Sequence, residues 1–258
     1  MTRRPISNMG ASVRQRLTTR ARERGENVQL VLTRFGIERF LFRLAQSPHS
    51  HEFVLKGAML FSLWAPVPYR STGDLDLLGK GNPAPERLAG IIGAIVTQSV
   101  ADDGVSFDAK SVKAERMREG EDCEGVRITL TAVIAGARLP IQIDIGSGDV
   151  VTPDARLTTY PSLLDFPAPE LKAYPPETVL AEKLEALVSL GMGNCRMKDF
   201  FDIWAIGNTF EFEGHVLSAA ISKTFARRRT SIPNDPPIGL TSAFSAAAAF
   251  VGGREGQV

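Results

Sequence analysis

Apolar residues near the start of the chain recur every three or four positions, the period of a helix with one buried face. Residues 10–26, GASVRQRLTTRARERGE, are mostly polar and predict a helix that carries Arg16, Arg20 and Arg24 as one basic stripe. Residues 28–47 bring Leu30, Phe35 or Ile37, Leu41 and Leu44 to one side of a second helix, which Ser47-Pro48 closes. FVLKGAMLFSLW (53–64) reads as a short apolar strand, then Gly57, then a short helix. APVPYR is a proline-rich loop, and GDLDLLG (73–79) is a strand. Residues 84–100 predict a helix with apolar positions at 88, 91, 92, 95 and 96.

Three strand-like runs follow: VSFDAKSVKAERM, GVRITLTAVIAG and ARLPIQIDIGSGD, the last two a hairpin turning near Gly136. Residues 152–176 hold six prolines and read as an extended connector. ETVLAEKLEALVSLGM and MKDFFDIWAIGN predict helices, a helical tail follows, and SAAAAF near the end favours helix through alanine. The order predicts an α+β fold, with N-terminal helices and a mixed-sheet core over 1–160 and a helical C-terminal domain over 161–258.

Composition changes this picture little. The 258 residues are 43 % apolar and 23 % charged, ordinary for a globular protein with a sizeable core. A net charge of +1 removes any bulk electrostatic argument for a polyanionic partner. No run of 18 apolar residues suggests a membrane span, and MTRRPISNMG lacks the apolar stretch of a secretory signal, so the expectation is a cytoplasmic protein. Cys123 and Cys195 lack metal-site spacing and read as free thiols. His49 and His51, in SPHSHE, read as solvated turn residues rather than ligands.

The candidate chemistry begins at GDLDLLG. Side chains on a strand alternate faces, so Asp74 and Asp76 share one face and Leu75 and Leu77 the other. Residues two apart on a strand lie about 7 Å from each other, so both carboxylates can reach one hard cation. The bland alternative is an ion pair or an exposed face. LPIQIDIGSG repeats the alternation, with Ile141, Ile143 and Ile145 on one side and Gln142 and Asp144 on the other. Asp144 fits either a solvated acid or the third carboxylate of a magnesium site for phosphoryl or nucleotidyl transfer. Gly57-Ala58, between a strand and a helix, fits a tight turn or a backbone approach to phosphate.

In ETVLAEKLEALVSL the expected buried stripe is Leu180, Leu184, Leu187 and Val188, with Glu182 and Glu185 towards solvent. Lys183 borders the stripe, where it either snorkels or offers its charge to a triphosphate. CRMKDFFDIWAI predicts burial of Phe200, Ile203 and Trp204, leaving Arg196, Lys198, Asp199 and Asp202 available, with Lys198 and Asp202 spaced as a surface pair.

These segments together carry a resemblance. FVLKGAMLFSLW, YRSTGDLDLLG, LAEKLEALVSLG and RMKDFFDIWAI, in this order and near this spacing, resemble the AbiEii/AbiGii-type nucleotidyltransferase toxins, a group that includes the MenT toxins. The resemblance covers roughly residues 10–210, helical lead-in included. It implies a DNA-polymerase-β-like nucleotidyltransferase mixed sheet with a helical C-terminal domain. It also implies a toxin of a toxin–antitoxin or phage-defence module that transfers nucleotides from an NTP to RNA, typically the tRNA 3′ end, and blocks translation. The implied partners are NTP, tRNA and a cognate antitoxin. On this resemblance Asp74 and Asp76 bind Mg²⁺, with Asp144 as the third acid; Lys183 holds the triphosphate and Asp199 completes the site. Gly57, Ala58, Ser71, Thr72 and Lys198 stand where nucleotide contacts are expected.

The chain departs from the family pattern at two places: Gly57-Ala58 stands for Gly-Ser or Gly-Gly, and Gly73 for a charged residue before the acidic pair. Arg14, Arg16, Arg20, Arg22 and Arg24, and separately KTFARRRT (223–230), offer basic surface for an RNA backbone, or are solvated helix faces. Two other readings use the same acids: a non-catalytic nucleotide- or partner-binding module, and a metal-dependent phosphohydrolase.

Overall fold

The computed structural model describes residues 8–64, 72–119 and 123–244. The first helices form as their sequences direct. Helix α1 (Met9–Arg24) starts where the Asn8 side chain accepts the Ala11 N–H and ends at Gly25, whose positive φ closes the last turn. Helix α2 (Val28–Gln46) is capped in the same way by Asn27. Then come β1 (Phe53–Lys56), a 3-10 turn over Gly57–Leu60, the short α3 (Phe61–Trp64), β2 (Asp74–Gly79) and α4 (Pro85–Thr97). Strands β3 (Ser106–Glu119), β4 (Cys123–Ile134) and β5 (Ala137–Ser147) follow. The β4–β5 hairpin turns at Ala135-Gly136, both at positive φ, the geometry that matches the twist of a two-residue hairpin.

Where the sequence suggests a connector over 152–176, the structure has two short strands, β6 (Arg156–Thr159) and β7 (Glu170–Ala173). The prolines explain how. Pro153 precedes β6, Pro161, Pro167 and Pro169 fall between the strands, and Pro175 and Pro176 open the next helix, so none interrupts a ladder. The expected SAAAAF helix and Ser71 lie outside the described residues.

The sheet has seven strands in the order β3-β4-β5-β2-β1-β7-β6. It is mixed: β2 runs parallel to β5 and β1 to β7, and the other pairs are antiparallel. One face is apolar. Leu75, Leu77, Ile128, Ile141, Ile143 and Ile145 are all buried there, each contributing about 1.5–3 kcal/mol. Gly36 lets α2 lie against Leu139, Ile141 and Ala132 of this face, and α4 packs over β3 and β4. The other face carries the alternate residues of the same strands, including all three candidate acids.

The described residues fall into two compact units. The first takes residues from Met1–Gly148 and Arg156–Ala173, the second residues from Asp149–Ala155 and Tyr174–Val258. The second unit is helical: α5 (Pro176–Leu190), α6 (Met197–Thr209) and α7 (Gly214–Arg227), with α5 packed on both others.

Two expected faces are rotated. In α5 the buried positions are Thr178, Val179, Ala181, Glu185 and Leu187, while Leu180, Leu184 and Val188 are half-buried. Glu185 goes inward because it has partners there: it accepts from Arg228 at 2.8 Å and from Thr230 Oγ1 at 2.6 Å. Arg228, from the KTFARRRT segment, also reaches Asp149 and Glu182. Burial opposes its charge, but Glu182, Glu185 and Asp149 outweigh burial and hold its pKa above the ordinary value. In α6, Trp204 is 62 % exposed rather than buried, because Asp202, Ala205 and Ile206 occupy the inner side. No helix among the described residues is long and apolar enough to cross a membrane.

Candidate active site

Register assembles the acid face of the first unit. Asp74 lies beside Gln142, and Asp76 beside Asp144, on neighbouring parallel strands. Residues paired in register share a face, so one row runs across five strands as Lys56, Asp76, Asp144, Arg127 and Glu115. A second row runs Asp74, Gln142, Thr129 and Lys113. Asp74 is exposed and Asp76 half-buried, while Leu75 and Leu77 anchor the strand from behind with no exposure. Thr72 precedes the pair, and its hydroxyl accepts the Asp74 N–H at 3.3 Å, which fixes the entry to β2.

Gly57 belongs to the same place. Its φ is +72°, and a Cβ built there would stand 2.6 Å from Asp76 Cγ. Glycine is thus required twice, for backbone conformation and for the space that the Asp76 carboxylate fills. Ala58 follows, buried, inside the 3-10 turn. At Gly73 a Cβ would meet only Leu30 Cδ1, at 3.4 Å, an ordinary contact, so the structure makes no demand for glycine there.

Asp144 is held tightly. Its Oδ1 accepts from Arg127 Nε and its Oδ2 from Arg127 Nη2, both at 2.8 Å, a bidentate pair, and Gln142 Nε2 adds a third donor at 3.2 Å. Among the described residues, no group of three or more His, Cys, Asp or Glu side chains gathers to hold a metal ion.

The second unit has its own charged cluster. Lys183 Nζ donates to Asp199 Oδ1 at 2.6 Å and pairs with Asp202 Oδ2 at 2.8 Å. Lys183 and Asp199 are mostly covered, and Asp202 is fully buried. Asp199 and Asp202, three apart on α6, share the helix face that meets α5. The surface pair expected between Lys198 and Asp202 is therefore not how Asp202 is used, and Lys198 stays exposed.

The basic surfaces are partly spent. Arg16 pairs with Asp165 at 2.6 Å, Arg20 donates to the Leu163 carbonyl, and Arg14 to that of Ala135. Arg228 is turned inward, onto Glu185. His49 is not merely solvated: it bonds Glu52 at 2.6 Å, and Glu52 also pairs with Arg87. Cys195 is a free, exposed thiol.

Two partners were not expected from the sequence. Asp202 was legible from its three-residue spacing to Asp199. Arg127 was legible from the hairpin, because counting outward from Ile134 and Ala137 across the turn sets Arg127 opposite Asp144.

Among known protein families, the one described as nucleotidyl transferase AbiEii toxin, type IV toxin–antitoxin system, matches residues 39–250. No curated protein matches the chain. Among solved structures, JHP933 from Helicobacter pylori is similar over 86 % of this chain and 88 % of its own, with 13 % identity and a TM-score of 0.48. An antigenic nucleotidyltransferase-like protein from Paracoccidioides brasiliensis is similar over 74 % and 88 %, with 16 % identity and a TM-score of 0.43.

Proposed function

The chain belongs to the AbiEii nucleotidyl transferase toxin family, and from that premise we propose that it transfers a nucleotide from an NTP to the 3′ end of an RNA, with tRNA as acceptor and arrest of translation as the consequence. The observation that carries the reading is the one-faced pair Asp74 and Asp76, set mid-sheet with Gly57 cleared to seat Asp76.

The donor set fits a divalent cation. Two hard carboxylates project from one strand face, one of them exposed, as an ion such as Mg²⁺ prefers. Asp74 and Asp76 would hold it, and when bound it would supply positive charge to the triphosphate and acidify a hydroxyl. The chain's own residues do the rest. Leu75 and Leu77 fix the strand so that both carboxylates keep their direction. In the second unit Asp199 and Asp202 hold the Lys183 ammonium, and the family resemblance is what assigns that residue to the triphosphate. The acceptor 3′-oxygen bonds to the α-phosphorus as the bond to the β-phosphate oxygen breaks. Pyrophosphate leaves, and the hydroxyl proton passes to a carboxylate of the acid face. Cytoplasmic location and neutralisation by a cognate antitoxin belong to the same proposal.

The test incubates the protein with Mg²⁺, each labelled NTP in turn, and total RNA, beside Asp74→Ala. Label should enter RNA of tRNA size with one NTP preferred, and Asp74→Ala, folded by circular dichroism, should incorporate none. Equal incorporation by the folded variant defeats the mechanism. Release of mononucleotides from RNA, without lengthening, would make the protein a phosphohydrolase. NTP binding without pyrophosphate release would make it a binding module.

A further inference from the structure

The cations on the open face of β3, β4 and β5 are not in equivalent states. We infer that Lys113, with Thr129 beside it, binds the sugar-phosphate backbone of the acceptor RNA, a few nucleotides back from the end that meets Asp74. This rests on the nucleotidyltransferase reading and gives its acceptor a place on the sheet.

Three observations carry the inference. First, a bulge turns Lys113 onto this face. Asp108 pairs with Thr131 but Lys113 with Thr129, so residues 109–112 of β3 oppose the single Leu130 of β4. The excess of three residues is odd, and an odd shift exchanges the two faces of a strand. Without it Lys113 would fall opposite Val126, on the buried side. Ser111 holds the bulge: its hydroxyl donates to the Asp108 carbonyl at 2.6 Å and accepts the Thr131 N–H at 2.8 Å. Second, Lys113 is uncommitted. Register sets Arg127, Arg138 and Lys113 on this face. Arg127 grips Asp144, and Arg138 pairs with Asp108 at 3.7 Å. Lys113 is exposed, with no hydrogen bond or ion pair among the described residues, and the same holds for the exposed Thr129 hydroxyl. Third, Lys113 ends the row that Asp74 begins, with Gln142 and Thr129 between them. Three strand spacings put it about 14 Å from Asp74. That is the scale of a few stacked nucleotides, at about 3.4 Å of rise each.

The chemistry follows. An ammonium is a compact point charge with three donors, and it suits a phosphate whatever base is attached. The Thr129 hydroxyl, one strand nearer Asp74, can donate to a phosphate or meet a ribose 2′-hydroxyl. An exposed lysine gains from a phosphate chiefly by releasing counterions, so the contact weakens with salt. With a net charge of only +1, the chain has no broad field to align a polyanion, and single placed cations set its path. A lysine on the edge strand β3 also discourages pairing with another chain, a role that needs no RNA.

The experiment uses the full chain and separates these roles. Affinity for labelled total tRNA is read by fluorescence anisotropy as KCl is varied, and affinity for a non-hydrolysable NTP analogue is read with Mg²⁺ present. Lys113→Gln should weaken tRNA binding about 5- to 8-fold at about 0.1 M KCl and reduce the slope of log affinity against log salt by about 0.7–0.9, the share of one phosphate. The analogue should stay within about 2-fold of the wild type. Lys113→Arg, which keeps the charge, should restore affinity and slope. Thr129→Val should weaken tRNA without changing the slope. Acetylation of Lys113 in the wild type, followed by mass spectrometry, carries the test if Lys113→Gln does not fold: tRNA should protect the amine. Wild-type affinity and slope in folded Lys113→Gln, or equal acetylation with and without tRNA, overturns the inference and leaves Lys113 as a guard of the sheet edge. A loss confined to the analogue overturns it too, since the cation would then serve the triphosphate. Wild type that takes the analogue but no tRNA sinks the RNA acceptor of the wider reading together with this inference. Wild type that binds tRNA but transfers nothing sinks the transfer alone, and the Lys113 arms still decide.

Discussion

At the scale of single residues, Gly57 and Glu52 are the most exacting. Gly57 combines a left-handed backbone with the space occupied by Asp76. Gly57→Ala should cost about 1–2 kcal/mol in urea denaturation from backbone strain alone. It should also reduce NTP incorporation sharply, because the methyl displaces the Asp76 carboxylate. Wild-type values in both assays would show that the turn adapts freely. Glu52 secures the start of β1 through its side chain on His49 and Arg87 and through its carbonyl, which accepts from the Lys80 N–H. The His49 hydrogen bond, with Arg87 behind it and burial opposing, holds its pKa below the ordinary carboxylate value. A depressed pKa gives stability that is present above the ordinary value and is lost as pH falls through the folded one. Wild type should therefore lose more stability on acidification below about pH 4.5 than Glu52→Gln does, as read from urea midpoints at several pH values. Parallel acid limbs would rule that out.

At the scale of elements, α6 shows how a hydrophobic pattern can mislead. Phe200, Ile203 and Trp204 make a plausible apolar face, yet two carboxylates of the same helix go inward and Trp204 outward. The Lys183 ammonium decides this: its pairs with Asp199 and Asp202 offset the cost of burying them, and the rest of the helix turns accordingly. Trp204→Ser should then change stability by no more than about 0.5 kcal/mol, whereas Ile206→Ala should cost about 2–4 kcal/mol. A large loss from Trp204→Ser in thermal or urea unfolding would contradict the orientation. The sheet behaves differently. In β2 and β5 the period-two alternation read from the sequence is the one the structure shows, because one face is sealed under helices and a slip of one residue would bury the acids.

At the scale of the whole molecule, the chain builds two compact units, and in the helical one a half-buried cation ties several carboxylates together. Arg228, just after α7, gathers Glu182 and Glu185 from α5 and Asp149 from the segment that follows β5. Arg228→Met removes the cation that those three carboxylates share and should cost about 3 kcal/mol or more. Hydrogen exchange should locate the loss: amides of α5 and α7 should lose protection while those of β4 and β5 keep theirs. Uniform loss across both units would instead mean that they open together.

The amino-acid order alone determined the elements that repeat a short period: α1, α2, α4, the alternating strands β2, β4 and β5, the hairpin turn and the helices of the second unit. It also determined that Asp74 and Asp76 share a face, since that follows from strand geometry without any knowledge of neighbours. The family signature was legible in the same way, in four short segments in order. Only the tertiary structure decided who meets whom. Glu182 and Glu185 read as solvent-facing and Lys183 only as bordering the buried stripe, because a buried charge is costly until its partner is known, and the partners lie 16 residues away for Lys183 and Asp199 and 43 for Arg228 and Glu185. Short strands among prolines read as connector for the same reason, since β6 and β7 are stabilised by the sheet edge they join rather than by their own pattern. The third acid is the clearest case: its face was written in the sequence, but its occupation by Arg127 was set by the register of a ladder.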